Sequence, residues 1–244
     1  MSMQQEHQLV PYDTTALPSE AGPWLVIAPH PDDESIGMGG TLAKAARNGV
    51  KTHVVVLTDG ALGGKRDNLV QLRRRELEAA CAKLGVSSLH FFNQPDRGLR
   101  MDEELCHRLS ALINKKQATA VFFPGVQEFH PDHRAAALLA WQTLQMAGAS
   151  SPQAIAYEIS CQSPVNCLVD VTADFAAKQQ AIALYASQLG ERPYLELAQA
   201  LNKLRTLTLP TSVQWAEGFY RYSREELALP LGKWAARRGH AMLD

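Results

Sequence analysis

The chain has 244 residues, of which 46% are hydrophobic and 20% are charged, and its formal net charge is −1. These values are ordinary for a globular protein with one large domain, or with a core domain and an appended piece. The near-zero net charge gives no sign of a broad basic surface for nucleic acid or an anionic membrane. No apolar run reaches transmembrane length, and residues 1–22 lack the apolar stretch of a signal peptide.

The four cysteines are scattered along the chain and form no Cys-x-x-Cys pair. They therefore predict neither a zinc knuckle nor a redox motif. Cys81 and Cys106 lie in helical patterns, where a buried free thiol is expected. A Cys161–Cys167 bridge is the pairing that the sequence leaves open. Together with the missing membrane span, this cysteine usage predicts a cytoplasmic protein.

Short apolar runs alternate with helical patterns along most of the chain. Residues 1–22 are polar, contain several prolines and glycines, and predict an irregular arm. The first four strands are expected at Trp24–Ala28, Thr52–Leu57, Leu89–Phe92 and Ala120–Phe123. Helices are expected after them at about Gly40–Asn48, Leu69–Leu84, Asp102–Lys115 and His133–Met146. This alternation predicts an α/β fold, namely a Rossmann-like, doubly wound, mainly parallel sheet with helices on both faces.

The cluster Gly148–Pro152 predicts a transition to a smaller C-terminal subregion that begins at about residue 153. Its expected elements are strands at Ala154–Ile159 and Leu168–Val171, helices at Ala173–Ala186 and Tyr194–Leu204, and an extended segment at Val213–Tyr222. We expect residues 23–222 to form a single domain. The tail at 223–244 is expected to pack on the surface or to contact another copy of the chain in a homo-oligomer.

Two clusters of histidines and carboxylates follow predicted strands 1 and 4. One is Pro29–Glu34, and the other ends in His130–His133. In a sheet with strand order 3-2-1-4-5, strands 1 and 4 are neighbours at the switch point, where ligands bind beyond the carboxyl ends of the strands. The fold therefore predicts that the two clusters meet.

The chemistry of these side chains is typical of a catalytic zinc site, which uses three protein ligands and keeps one position open for water. His30 and Asp33 are spaced i, i+3, so a turn can direct both at one point. His133 completes a His-Asp-His set. Asp32 is then free to act as general base on the activated water. His130 can face the substrate as an acid or an oxyanion stabiliser.

These segments have two alternative interpretations, as loop caps with surface histidines or as a dinucleotide-binding loop. A single His-x-x-Asp is more often a loop cap or a surface histidine, but two such clusters on neighbouring strand ends favour a site. The glycines at 37, 39 and 40 resemble a dinucleotide-binding loop, yet the G-x-G-x-x-G pattern fails at Leu42. Asp32, Asp33 and Glu34 would also place negative charge where a pyrophosphate binds.

Two further side chains are expected on the ligand side of the sheet. Arg73 projects into the apolar stripe of the Leu69–Leu84 helix, and a buried arginine needs a partner. Glu76, one turn later, is the expected partner, although an ordinary helix ion pair is an equal alternative. Asp96 follows predicted strand 3, where a plain turn-forming role is the alternative.

Together these residues resemble the PIG-L/LmbE-like family of zinc-dependent N-acetylglucosaminyl deacetylases. Ala28–Glu34 is similar to the family signature Ala-His-Pro-Asp-Asp-Glu with one extra proline, Pro29. His130–His133 also matches, and the resemblance extends from about residue 24 to about residue 222. Thr58–Gly60, Arg73 with Glu76, and Asp96 match as well. Weaker matches lie in the C-terminal part, at Lys178, Tyr185–Gln188 and Glu217–Phe219.

The resemblance implies hydrolysis of an N-acetyl group from an amino sugar, which gives acetate and a free amine. It implies that zinc is bound by His30, Asp33 and His133, with Asp32 as general base and His130 as transition-state stabiliser. It further implies that Asp132 orients a histidine ligand and that Arg73 and Asp96 contact the sugar or a group attached to it. Another divalent ion could take the place of zinc.

The residues leave the substrate class open. Lys65 and Arg66 border the expected cleft and favour either an acidic aglycone or a solvated loop. A zinc amidase acting on a non-sugar or thiol-conjugate amide is a rival within hydrolases. A metal- or sugar-binding module without turnover is a rival of another class, and it would be expected to lack a base such as Asp32.

Overall fold

A computed structural model describes residues 13–14, 19 and 22–241 of the chain. Within these residues, all eight β-strands belong to one sheet. The strands are β1 (Asp13–Thr14), β2 (Trp24–Ala28), β3 (Thr52–Thr58), β4 (Ser88–Gln94), β5 (Ala120–Pro124), β6 (Gln153–Tyr157), β7 (Cys167–Asp170) and β8 (Ala216–Arg221).

The helices connect the strands and cover the sheet. They are α1 (Asp33–Arg47), α2 (Leu69–Leu84), α3 (Glu103–Lys116), α4 (Pro131–Met146), α5 (Phe175–Ala183), α6 (Ala186–Leu189), α7 (Tyr194–Leu204), α8 (Arg224–Leu227) and α9 (Leu231–Ala241). A short 3₁₀ turn lies at Gly148–Ser150. In the described part of the chain, none of these helices combines the length and apolarity needed to cross a bilayer.

The strands lie in the order β1-β7-β8-β6-β5-β2-β3-β4. Neighbouring strands are parallel except around β8, which runs antiparallel to both β6 and β7. The predicted order 3-2-1-4-5 corresponds to β4-β3-β2-β5-β6, so the doubly wound, mainly parallel sheet is confirmed. The strands of the predicted C-terminal subregion extend this same sheet.

Two apolar cores lie on opposite faces of the sheet, because successive side chains of a strand point to opposite sides. Trp24, Val26 and Ala28 of β2 pack against α1, α2 and α5 on one face. Leu25 and Ile27 pack against α3 and α4 on the other face. Every residue of β2, β3 and β5 is buried, as expected for parallel strands that helices cover on both faces.

Helix α1 begins earlier than its predicted start at Gly40. It starts at Asp33 and is interrupted at Met38, whose φ of −141° and ψ of 25° are not helical. The Glu217 carboxylate accepts the backbone N–H groups of Gly40 and Thr41 at 2.9 and 2.7 Å. These N–H groups open the second part of the helix, so Glu217 supplies the acceptors that the interruption removes.

A buried ion pair fixes Glu217. The Lys178 ammonium lies 2.6 Å from Glu217 Oε1 and donates to Asn202 Oδ1 at 2.7 Å. Both Lys178 and Glu217 are fully buried. Helix α5, helix α7 and strand β8 are thereby joined to α1 through polar side chains inside the protein.

Three smaller predictions have definite outcomes. Asp13–Thr14 pairs with β7 at the sheet edge, so these residues of the expected irregular arm are not irregular. Most of the rest of that arm lies outside the described residues. The tail forms α8 and α9, and Trp234 packs against Trp141 and Tyr222. Cys161 and Cys167 form no disulfide bridge.

Candidate active site

The two predicted clusters meet at the carboxyl ends of adjacent strands. Strands β2 and β5 are parallel neighbours, with Trp24 opposite Ala120 and Val26 opposite Phe122. The turn after β2 carries His30, Asp32 and Asp33, and the loop after β5 leads to His130 and His133 at the start of α4. The spatial proximity predicted from the strand order is therefore observed.

Asp33 lies between the two histidines that are predicted to be metal ligands. Its Oδ2 atom is 3.1 Å from His30 Nδ1 and 3.3 Å from His133 Nε2. Ligand atoms that surround zinc tetrahedrally at about 2.0–2.1 Å are about 3.3 Å from one another. The separations of Asp33 Oδ2 from the two ring nitrogens are therefore close to two edges of such a tetrahedron.

A carboxylate faces the other ring nitrogen of each histidine. His30 Nε2 lies 3.0 Å from Asp132 Oδ2, and His133 Nδ1 lies 3.2 Å from Glu128 Oε2. Metal-binding histidines typically donate their second N–H to a carboxylate, which fixes the tautomer and the orientation of the ring. Asp132 was expected near a histidine, whereas Glu128 was missed in the sequence.

Backbone groups hold both of these carboxylates in place. Asp132 accepts the N–H groups of Arg97 at 2.7 Å and Leu99 at 3.2 Å. Glu128, which is 1% exposed, accepts those of Ile159 at 2.9 Å and Ser160 at 3.0 Å. The orientation of each histidine is thus coupled to a loop from another part of the chain.

Two donor sets, neither of which includes Asp33, have all of their ligand atoms within 4.8 Å of one another in the described residues. One consists of His30, His130 and His133, and another consists of His30, Asp96, His130 and Asp132. Four protein ligands would leave no open position, which is typical of a structural zinc site rather than a catalytic one. A three-residue set, with either Asp33 or His130 beside His30 and His133, keeps a position open.

The carboxylates around the histidines give this region a strong preference for positive charge. Burial lowers the pKa of His133, but the charge of Asp33 and the hydrogen bonds to Asp33 and Glu128 together outweigh it and raise that pKa to about 9. The pKa of His30 is likewise raised, because hydrogen bonds to Asp132 and Asp33 outweigh its burial. Burial would raise the pKa of Asp33, yet the charges of His133 and His30 and their hydrogen bonds to Asp33 together hold it well below its usual range. Such surroundings suit a bound cation.

Asp32 has an unusual backbone conformation and a buried side chain. Its φ of 140° lies in a region that residues other than glycine rarely adopt. The residue is 5% exposed. The Asp32 N–H donates to Glu34 Oε2 at 3.3 Å, and Glu34 in turn accepts the Tyr185 hydroxyl at 2.5 Å. Burial raises the pKa of Asp32 to about 7, and the positive charge of Arg73 opposes this rise.

Arg73 is a partner of Asp32. Its Nη2 atom donates to Asp32 Oδ2 at 3.1 Å and to the Pro31 carbonyl at 2.9 Å, and Nη1 donates to the Gly60 carbonyl at 3.0 Å. Gly60 has a φ of +65°, and a Cβ atom there would lie 2.8 Å from Arg73 Nη1. Glycine is therefore needed where the loop after β3 passes over the guanidinium.

The expected pairing of Glu76 with Arg73 is wrong. Glu76 accepts the backbone N–H of Ser187 at 2.8 Å and its hydroxyl at 2.6 Å. The helix spacing places Arg73 and Glu76 on the buried side of α2. There the Glu76 carboxylate binds the turn at Ser187 and not the Arg73 guanidinium. Arg73 instead reaches back to the turn after β2. This difference depends on packing that spacing along a helix does not reveal.

His130 is held as a neutral imidazole. Its Nδ1 atom accepts the backbone N–H of Asp132 at 3.2 Å, which leaves the ring proton on Nε2. Burial and the positive charges of His30 and His133 lower the pKa of His130. The His130 ring also stands edge-on to that of His30, with centroids 4.6 Å apart. A neutral ring with a proton on Nε2 is a hydrogen-bond donor.

Asp96 is also in the site. Its Oδ1 atom lies 3.4 Å from His30 Nε2, and its Oδ2 atom accepts the Leu62 N–H at 2.9 Å. Burial alone would raise the pKa of Asp96, but the hydrogen bond to His30, the charge of His30 and the Leu62 N–H together outweigh it and lower the pKa to about 2. Asp96 is thus an ionised acceptor at the site.

A cavity of about 730 Å³ opens over these residues. Seven of the nine residues predicted to form the site line it: His30, Asp32, Asp33, Arg73, Asp96, His130 and His133. Asp132 and Glu76 lie behind the lining. The volume is in the range of small-molecule sites.

Residues 25–144 match a family model described as PIG-L, GlcNAc-PI de-N-acetylase. The chain is also 30% identical over 199 residues to the diacetylchitobiose deacetylase of Thermococcus kodakarensis. That alignment covers 70% of this chain and 74% of the relative.

Two solved structures share the fold and about the same sequence identity. A conserved protein of Thermus thermophilus superimposes with a TM-score of 0.73 at 30% identity, covering 81% of this chain and 93% of that one. The N,N'-diacetylchitobiose deacetylase of Pyrococcus horikoshii, in complex with an inhibitor, superimposes with a TM-score of 0.72 at 28% identity. That superposition covers 83% of this chain and 84% of the deacetylase.

Proposed function

Because the chain belongs to the PIG-L/LmbE-like family of de-N-acetylases, we propose that it removes the N-acetyl group of an N-acetylglucosamine-type sugar or conjugate. Water cleaves the amide, and the products are acetate and the free amino sugar. The observation that carries this proposal is the position of Asp33 Oδ2 between His30 Nδ1 and His133 Nε2, at separations that suit one metal ion.

We propose zinc as the metal, with His30, Asp33 and His133 as ligands. Nitrogen and carboxylate donors at these separations support zinc, and the two outer carboxylates support these tautomers of the histidines. When bound, such a cation polarises the amide carbonyl and lowers the pKa of water. His130 and Asp96 remain available to the substrate.

Asp32 is the proposed general base. It takes one proton from the attacking water while the hydroxyl oxygen bonds to the carbonyl carbon. When the C–N bond breaks, this proton passes to the departing nitrogen. A pKa of about 7 suits a group that takes and returns a proton near neutral pH. Arg73 holds the carboxylate in position.

His130 is the proposed stabiliser of the transition state. Its Nδ1 atom is occupied by the Asp132 N–H, so Nε2 is the donor that can face the developing oxyanion. Asp96 is the proposed acceptor for a sugar hydroxyl. The contact of Arg73 with Asp32 supports a positioning role for this arginine beside the predicted contact with substrate. That the protein is cytoplasmic and that it forms a homo-oligomer are predictions from the sequence.

The proposal is tested by acetate release from a panel of N-acetyl sugars and simple amides, with and without a chelator. We expect release from N-acetylglucosamine derivatives, loss of release with the chelator and recovery on adding zinc. Release that the chelator does not affect would contradict the metal's role. Release from non-sugar or thiol-conjugate amides alone would favour the rival amidase. Sugar binding without any release would favour a non-catalytic module.

Glu128 provides a second test, because it contacts His133 without touching the proposed metal position. Glu128→Gln keeps an oxygen for the Ile159 and Ser160 N–H groups but removes the acceptor for His133 Nδ1. We expect the zinc Kd, measured by competition with a chromophoric chelator, to rise by about 10- to 100-fold. The neighbouring Gln127 is exposed, so Gln127→Ala is the matched control and should leave the Kd unchanged. An unchanged Kd in Glu128→Gln would contradict this role.

A further inference from the structure

We propose that the outer part of the cavity binds an apolar group attached to the sugar, so that the preferred substrates carry an apolar aglycone. This inference rests on the proposed function and adds the chemical class of the aglycone. It follows from three apolar side chains on three separate segments at the cavity rim: Leu62, Phe129 and Leu197. We call these residues the apolar rim.

The cavity is chemically divided. The ionisable residues of the proposed catalytic centre lie at its buried end, where the acetamide would be held. The apolar rim residues are 51%, 68% and 55% exposed, in the order given above. Large apolar side chains that are exposed together beside a polar site mark ligand-binding surfaces, because covering them releases water.

The backbone of Leu62 is fixed although its side chain is exposed. The Leu62 N–H donates to Asp96 Oδ2 at 2.9 Å, and its carbonyl accepts from Arg97 Nη2 at 3.3 Å. The loop after β3 is thus attached to the loop after β4. The leucine side chain is therefore presented at a defined place beside Asp96, the proposed acceptor for a sugar hydroxyl.

Phe129 is presented in the same way on the opposite loop. Its carbonyl accepts from Arg134 Nη1 at 2.5 Å. Phe129 also lies between the buried Glu128 and the proposed stabiliser His130, both of which are held by hydrogen bonds. An aromatic ring on a fixed backbone loses little conformational entropy when it packs against a ligand.

Helix α7 supplies the third part of the rim. Tyr194, Leu197 and Leu201 are spaced i, i+3 and i+7, so they share one face of the helix, and all three line the cavity. Ala198 and Asn202 are buried on the side that faces the protein core. The helix therefore turns an apolar face, rather than its polar one, towards the cavity.

The cationic side chains of the cavity do not form a comparable anion site. Lys65, Arg97 and Arg192 are all exposed, and Glu191 lies on the same wall. The guanidinium groups of Arg97 and Arg192 donate to the carbonyls of Leu62 and Glu191. The buried Arg73 is paired with Asp32. The cavity therefore favours an apolar aglycone over an acidic one, which was one of the two alternatives that Lys65 and Arg66 suggested in the sequence.

The test compares the metal-loaded full chain on methyl and phenyl glycosides of N-acetylglucosamine, in both anomeric forms, and on N-acetylglucosamine 1-phosphate. We expect kcat/KM for the better phenyl glycoside to exceed that for its methyl counterpart by about tenfold, as burial of a phenyl group allows. Leu197→Ser should lower kcat/KM for the phenyl glycoside by about three- to tenfold more than for the methyl glycoside. Equal kcat/KM values for phenyl and methyl, or a preference for the phosphate, would overturn the proposal.

Leu204→Ser is the matched control. Leu204 lies on the same helix and is 50% exposed, close to the 55% of Leu197, but it does not line the cavity. If both variants lose the phenyl preference equally, the effect is on helix α7 and the proposal fails.

Binding separates this inference from the proposed function. Phenyl and methyl glucosides carry no acetamide and are not turned over. Calorimetry with these two compounds therefore measures binding at the apolar rim alone. Tighter binding of the phenyl glucoside that Leu197→Ser abolishes supports the apolar rim even if no acetate is released. Acetate release with equal binding of the two glucosides overturns the rim and leaves the proposed function intact.

Discussion

Asp32→Asn is expected to lower kcat for acetate release by about 10²- to 10⁴-fold while the bound metal is retained. Asparagine has nearly the same shape as aspartate but takes no proton from water. The proposed metal ligands are unchanged, so zinc content should stay near that of the unsubstituted protein. A base that acts only in the chemical step should affect kcat much more than binding.

The backbone at Asp32 makes asparagine the right substitution. Asparagine and aspartate adopt positive φ more readily than other side chains with a Cβ atom, so the φ of 140° should persist. Arg73 keeps its bonds to the Pro31 and Gly60 carbonyls. Glu78→Gln, which removes a carboxylate from the exposed side of α2, is the control for loss of one negative charge. Full turnover in Asp32→Asn, or loss of its zinc, would refute the assignment.

Glu217→Gln is expected to lower the free energy of unfolding by about 3–5 kcal/mol, because it leaves the buried Lys178 ammonium without a counter-charge. Glu217 also accepts the two N–H groups at the interruption of α1, and an amide can accept at one oxygen only. The loss should therefore also loosen the helix that begins at Asp33. Urea unfolding at neutral pH measures the change.

The double variant Lys178→Met/Glu217→Gln distinguishes an unpaired charge from general damage to the core. Methionine removes the ammonium with little change in side-chain length, so we expect the double variant to be more stable than Glu217→Gln alone. Glu225→Gln removes an exposed carboxylate and should have little effect on stability. A double variant as unstable as the single one would show that the ion pair is not the cause.

The sequence predicted the centre of the fold well because its strands are continuous apolar runs. Trp24–Ala28 and Ala120–Phe123 are buried on both faces, so their signal does not depend on the rest of the chain. Their order then placed His30 and His133 together. The spacing of His30 and Asp33 within one turn is local, and local geometry is readable from sequence.

Contacts between distant segments were harder to predict. Glu128 looks like any loop carboxylate in the sequence, since its burial depends on the N–H groups at Ile159 and Ser160. The partner of Arg73 was assigned to Glu76 on helix spacing, although Asp32 lies closer in space. A weak signal for Glu128 exists: it immediately precedes the stretch that leads into His130–His133.

The place of β8 in the sheet constrains how the protein can fold during synthesis. β8 is the last strand of the described chain, yet it lies between β6 and β7. A chain that leaves the ribosome N-terminus first exposes β6 as an open edge, with unpaired N–H and C=O groups, until Ala216–Arg221 has emerged. The nascent protein therefore carries a pairing-competent edge from the emergence of β6 until that of β8, and β7 with β1 can join the sheet only in the final stage.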